Sequence, residues 1–173
     1  MSETAKLLSK LWLIGLFVLA SFENSYGQNG INLSSGFGMP ELLNIGIRGQ
    51  IKQIVVGASV GTIPGLPKDE KIFSVCGDIF YHFGKVPELL ERRVWYTSFG
   101  LNYLNDKNND SEDRFTYLNL RIGRDLNLSK SIGLQLGAGI LAELSKEIIP
   151  DSWVHKFFPK VLPSIGLNVF FRF

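Results

Sequence analysis

Ser74, Asp78 and His82 carry the three groups of a nucleophilic triad, spaced four residues apart within residues 73–83. The chemistry such types perform is attack by a hydroxyl that an imidazole activates and a carboxylate orients. It requires mutual contact near ~3 Å. The stretch that holds them alternates, with Phe73, Val75, Ile79, Tyr81 and Phe83 against Ser74, Cys76, Asp78, Phe80 and His82. That is the period of a strand. Residues four apart on a strand lie about 13 Å apart, so these three cannot form a triad by themselves, and no catalytic residue is assigned. Cys76 is the only cysteine, and His82 and His155 are the only histidines. These counts exclude an intramolecular disulfide, a Cys-x-x-Cys metal spacing and a His-rich metal site. No metal or cofactor is expected, and Cys76 reads as a buried, inert thiol.

A second constellation is one of charge. Arg48, Asp78, Arg121, Asp125, Glu143 and Arg172 each fall on the polar side of an alternating stretch. If those sides line one interior, three bases face three acids in a confined space. An eight-stranded barrel is just wide enough for side chains to fill, and an unpaired buried charge is costly. The six are therefore expected to pair, Arg48, Arg121 and Arg172 with Asp78, Asp125 and Glu143, as a structural lumen network. The alternative is a proton or ion path.

The elements that would position these charges are short and alternating. Residues 31–39, 43–51, 54–62, 73–83, 94–103, 114–125, 132–144 and 162–173 each carry apolar and polar or small residues in turn. The last is the clearest. Ile165, Leu167, Val169, Phe171 and Phe173 oppose Ser164, Gly166, Asn168, Phe170 and Arg172, with Phe170 the one bulky residue on the polar side. About eight strands near 9–11 residues each suit a tilted membrane strand. The 12% aromatic content and 18 glycines suit a barrel with aromatic girdles. The reading is all-β, a single antiparallel transmembrane β-barrel of about eight strands over residues 28–173. A net charge of +2 offers no basic field for nucleic acid.

An even strand count places both chain ends on one side and sorts the connections. Those at 52–53, 84–93 and 127–130 fall inside, and those at 40–41, 64–71, 105–113 and 145–161 fall outside. The outer set is the longer and more acidic, as expected for this class. Trp153, His155, Phe157 and Phe158 in the last of them form either an interfacial cap or a contact surface for lipopolysaccharide, a ligand or a partner.

Residues 1–27 read as a secretory signal peptide. Lys6 and Lys10 precede the apolar run 11–20, which is too short to span as a helix. Small residues then lead to a cut before Gln28. Together with the pieces GFGMPELLNIG, GDIFYHFG, LNLRIGRDLNLS and PSIGLNVFFRF, this pattern resembles small Bacteroidetes-type outer-membrane β-barrels. The resemblance implies residence in the bacterial outer membrane, with outer-membrane lipid and the barrel-assembly machinery as partners. It also implies that Phe171 and Phe173 form the insertion signal. It does not decide activity, because small barrels of this kind include structural, adhesive and lipid-modifying members. The outward faces carry no polar cluster within the apolar band, so no enzyme activity is expected. The role read here is structural or one of surface interaction through external loops. The rivals are an outer-membrane lipid-modifying enzyme and a secreted soluble ligand-binding barrel.

Overall fold

Alternation sorts the side chains of this protein to two faces, and the sheet closes so that one face becomes an interior. A computed structural model describes residues 30–67, 70–87, 92–109, 111–149 and 161–173. The strands are β1 Gly30–Met39, β2 Leu42–Ile51, β3 Ile54–Thr62, β4 Lys71–Phe83, β5 Trp95–Lys107, β6 Glu112–Asn127, β7 Ile132–Ile149 and β8 Val161–Arg172. Each pairs antiparallel with the next, and β1 pairs with β8 from Asn32↔Arg172 to Met39↔Ile165, which makes a closed barrel. The all-β, eight-stranded expectation is met. Residues 1–27, read as a signal peptide, lie outside the described residues.

The two faces invert the usual order of a water-soluble protein. Large apolar side chains point out, with Ile45 61% and Ile165 64% exposed, while Asn102 and Ser164 are fully buried. A soluble domain hides the first kind and shows the second. The same parity runs around the barrel from β1 to β8 without a slip through the central rows, because a shift by one residue would reverse every side chain.

The strands outrun their expected ends at one rim. β5 continues to Lys107, β6 begins at Glu112 and β7 continues to Ile149, where the sequence reading placed loops at 105–113 and 145–161. The polar residues there are held by ion pairs along β6 and across the ladder to its neighbours. Arg114 bonds Glu112 at 2.9 Å and Glu147 at 3.3 Å, and Lys107 lies 3.4 Å from Glu112. Polarity alone therefore did not mark a break. A register shift between Thr116 and Tyr117 leaves Leu144 without a partner in β6, since Thr116 faces Ser145 and Tyr117 faces Glu143. Beyond this bulge the parity resets, and Lys146 turns in over the Phe115 ring at 5.5 Å.

This geometry sets an expected depth dependence. Ile140 faces out at mid-strand, 49% exposed, and Leu144 sits at the bulge, 58% exposed. In lipid, Ile140→Arg is expected to lower the unfolding free energy by about 2–4 kcal/mol and Leu144→Arg by about 0–1. Urea unfolding of the refolded protein in bilayers measures both, and equal losses would contradict the assigned height of β7.

Candidate functional site: the lumenal charge network

Two turns fold into the barrel, one from each end, and each brings a charge to the lumen. At the end with the long strands, the β1–β2 turn carries Glu41. Leu42 beside it takes φ 62°, a left-handed conformation that costs a branched residue about 1–2 kcal/mol. Glu41 is held from the far wall. Arg121 on β6 grips its carboxylate with both arms, Nη1 to Oε1 at 2.6 Å and Nη2 to Oε2 at 2.7 Å. Arg121 also donates to the Met39 carbonyl at 2.6 Å and to Ser164 Oγ at 2.5 Å. Asn119 donates to Glu41 Oε1 at 3.1 Å, and Ser74 Oγ donates to the Glu41 carbonyl at 2.8 Å. The planar fork suits bidentate capture of a carboxylate.

At the end where β1 begins and β8 ends, the β4–β5 connection delivers Arg92. Its Nη2 lies 2.5 Å from Asp125 Oδ2, and its Nη1 donates to Gln50 Oε1 at 3.0 Å. His82 Nε2 lies 3.3 Å from the same Asp125 oxygen, and Gln135 donates to the other at 3.2 Å. Arg48 continues the chain by donating to Gln135 Oε1 at 2.8 Å, with its guanidinium 4.7 Å above the Phe80 ring. Phe170, the bulky exception on the polar face of β8, lies between two cations. Arg92 stands 5.1 Å and Arg172 4.3 Å from its centroid. Arg92, on the described part of the β4–β5 connection, thus lies buried in the lumen.

The pairing differs from the one expected from sequence. Arg48, Arg121, Arg172, Asp78, Asp125 and Glu143 all belong to lumen-facing rows, yet none of these bases makes an ion pair with any of these acids among the described residues. Arg121 takes Glu41 and Asp125 takes Arg92. Arg172 donates to Asn127 at 2.6 Å. Asp78 Oδ2 accepts from the Cys76 thiol at 2.9 Å. Glu143 Oε2 is buried with no hydrogen-bond partner among the described residues. Parity tells which wall a residue lines but not its height or azimuth. It is silent about turns that fold inward, so Glu41 and Arg92 were missed. Arg92 had one signal in the sequence, a connection too long for its side of the barrel. Ser74 and His82 sit at opposite ends of β4, one on Glu41 and one on Asp125, so no triad forms. Trp153, His155, Phe157 and Phe158 lie outside the described residues.

The interior is filled. Tyr96 lies across β6 and β7, where Gly123 and Gly137 leave room for its ring, and donates to the Leu136 carbonyl at 3.1 Å. A Cβ at either glycine would collide with the phenol. The space left in mid-lumen between Glu41, Arg48, Asp78 and Arg121 is about 10 Å³, near the room one water needs.

No family model and no curated protein matches this chain. Among solved structures, the N-terminal β-barrel domain of Pseudomonas aeruginosa OprF aligns with a TM-score of 0.56 at 19% identity, covering 85% of this chain and 98% of that one. Neisserial surface protein A (NspA) aligns with a TM-score of 0.46 at 14% identity, covering 84% and 95%. The OprF likeness is one of fold.

Three outcomes follow from the network. Glu41→Ala strands a buried guanidinium and is expected to cost about 3–5 kcal/mol, most of it recovered in Glu41→Ala/Arg121→Met. Urea unfolding of the refolded barrel reads both, and a loss within ~0.5 kcal/mol for the single variant would show that the pair is not structural. At the long-strand rim, Glu112 accepts from Asn105 at 2.8 Å and from Arg114 Nε at 2.9 Å. Those bonds hold its carboxyl down to about 2. A depressed carboxyl contributes above its unfolded value and loses that contribution as pH falls through the folded one. The NMR titration midpoint of Glu112 is therefore expected near 2, and an ordinary carboxylate midpoint would mean the rim is not fastened. Planar-bilayer recording should show no large, stable channel, and porin-scale conductance would contradict the filled lumen.

Proposed function

We propose that this chain is an outer-membrane protein of a Bacteroidetes-type bacterium, a small barrel whose role is structural or one of surface interaction through its outer connections. The observation that carries this reading is the outward face, which is apolar from strand to strand around a sheet with no free edge. Backbone donors and acceptors in lipid must be satisfied internally, and among sheets only closed barrels manage that. Aromatic residues mark both margins of the belt. Trp95 stands under Arg124 at 5.6 Å, and Phe73 lies 6.1 Å from Tyr103. Trp95 and Tyr103 are about 27 Å apart along β5, roughly 20 Å of membrane normal at the usual tilt, close to the height of such a belt.

On this reading residues 1–27 are a signal peptide, and Phe171 and Phe173 form the insertion signal for the assembly machinery. The two rings face out and meet edge to face at 5.1 Å. A lipid-modifying enzyme would need a reactive polar group toward the lipid. Of the outward aliphatic hydroxyls, those of Ser35, Thr62 and Thr97 are instead spent on the backbone carbonyls of Asn44, Ile72 and Arg121, at 3.0, 2.7 and 3.2 Å. A secreted ligand carrier would need an apolar lumen, and here the lumen is ionic and filled. Both observations favour the structural and surface role.

Two deletions test this. Removing residues 171–173 withdraws rungs from the β1–β8 ladder and is expected to leave a protein that is exported but not assembled. Removing residues 153–158 is expected to leave assembly intact and abolish any contact function. Outer-membrane fractionation with heat-modifiable gel migration reads both. Recovery of the whole chain in the soluble fraction would overturn the membrane assignment, and assembly lost only with the loop deletion would overturn the division into scaffold and surface.

A further inference from the structure

Cys76 lies inside a donor set that no sequence spacing revealed. The Cys76 sulfur and the carboxylates of Asp78 and Glu41 bring their ligand atoms within 4.8 Å of one another. These residues come from β4 and from the β1–β2 turn, so the cluster exists only in the closed barrel. Asn102 on β5 pairs directly with Cys76 in the ladder and lies against its thiol. It is fully buried, and beyond this contact with the thiol its amide nitrogen and carbonyl oxygen have no hydrogen-bond partner among the described residues. A buried amide with so little bonding leaves its donor and acceptor capacity unmet, and nothing in the Arg121–Glu41 lock uses it. Glu41 and Asp78 also reach from this cluster to the edge of the mid-lumen cavity of about 10 Å³, whose other walls include Arg48 and Arg121.

We infer that Cys76, Asp78, Glu41 and the Asn102 carbonyl form a lumenal site for one divalent cation of the zinc class. A thiolate selects a thiophilic ion, and two carboxylates and an amide oxygen select a divalent one. Binding releases the thiol proton to solvent, because the ligand is the thiolate. The thiol that donates to Asp78 Oδ2 then gives up that bond, and sulfur and oxygen turn to the ion together. Arg121 competes for Glu41, but a carboxylate offers about four lone-pair positions. Arg121 takes two and Asn119 one, which leaves one toward the cluster. The inference stands apart from the membrane reading and from any role of the external loops.

The full chain, refolded in detergent with Cd²⁺ or Zn²⁺ and freed of excess metal, provides the test. Heat-modifiable migration confirms that each variant is folded. The expected result is one retained ion per barrel, with an ultraviolet thiolate-to-cadmium charge-transfer band that Zn²⁺ competes away. Cys76→Ser keeps a hydroxyl beside Asp78 and is expected to fold and lose the band. Asp78→Asn and Asn102→Ala are expected to keep the fold and weaken retention by about tenfold or more. A folded protein without the band, metal retained undiminished in Cys76→Ser, or affinity unchanged in both other variants would overturn the site.

Discussion

Backbone pairing between β1 and β8 sets the terms for the rest of the molecule. The register from Asn32↔Arg172 to Met39↔Ile165 leaves neither strand with a free edge over that length. Closure with eight strands also determines the width of the interior. That width admits side chains and excludes a water column, so each inward residue must find a partner within reach. Tyr96 occupies the room left at Gly123 and Gly137, and the arginines lie across Phe80 and Phe170.

The confined interior explains why the ion pairs are bidentate or shared. Burying Arg121 or Asp125 alone would cost several kcal/mol, and attraction in a low dielectric offsets this only with good geometry and further hydrogen bonds. Arg121 has its carboxylate, a carbonyl and a hydroxyl around it. Asp125 has Arg92, His82 and Gln135. Both locks depend on a residue from a connection, so the turns are parts of the core. The strained φ at Leu42 is tolerable next to Glu41, whose carboxylate accepts two bonds from Arg121 and one from Asn119 and whose backbone carbonyl accepts one from Ser74.

The two rims then serve different ends. At the terminal rim, Arg92 seals the lumen and the final strand meets the first. At the opposite rim, β5, β6 and β7 rise past the apolar belt on ionic rungs between Lys107, Glu112, Arg114 and Glu147. Those rungs hold a raised platform for the connections that a surface role would use.

The eight strands, their faces and the residues lining the interior were legible in the sequence, because a strand's period of two is local and each strand repeats it. Closure was inferable too, since an apolar outer face without a spanning helix leaves only a barrel in lipid. The partners were not legible. Arg121 and Glu41 are 80 residues apart, and Arg92 and Asp125 are 33 apart. The heights at which they meet depend on register, bulge and the inward fold of turns. Polar residues at 105–113 looked like a loop because polarity marks solvent, and β5 and β6 extend into solvent as strands. The cluster of Cys76, Asp78, Glu41 and Asn102 belongs to the same class of fact. Its members are ordinary apart, and only the tertiary structure, by laying a turn across two paired strands, makes them neighbours.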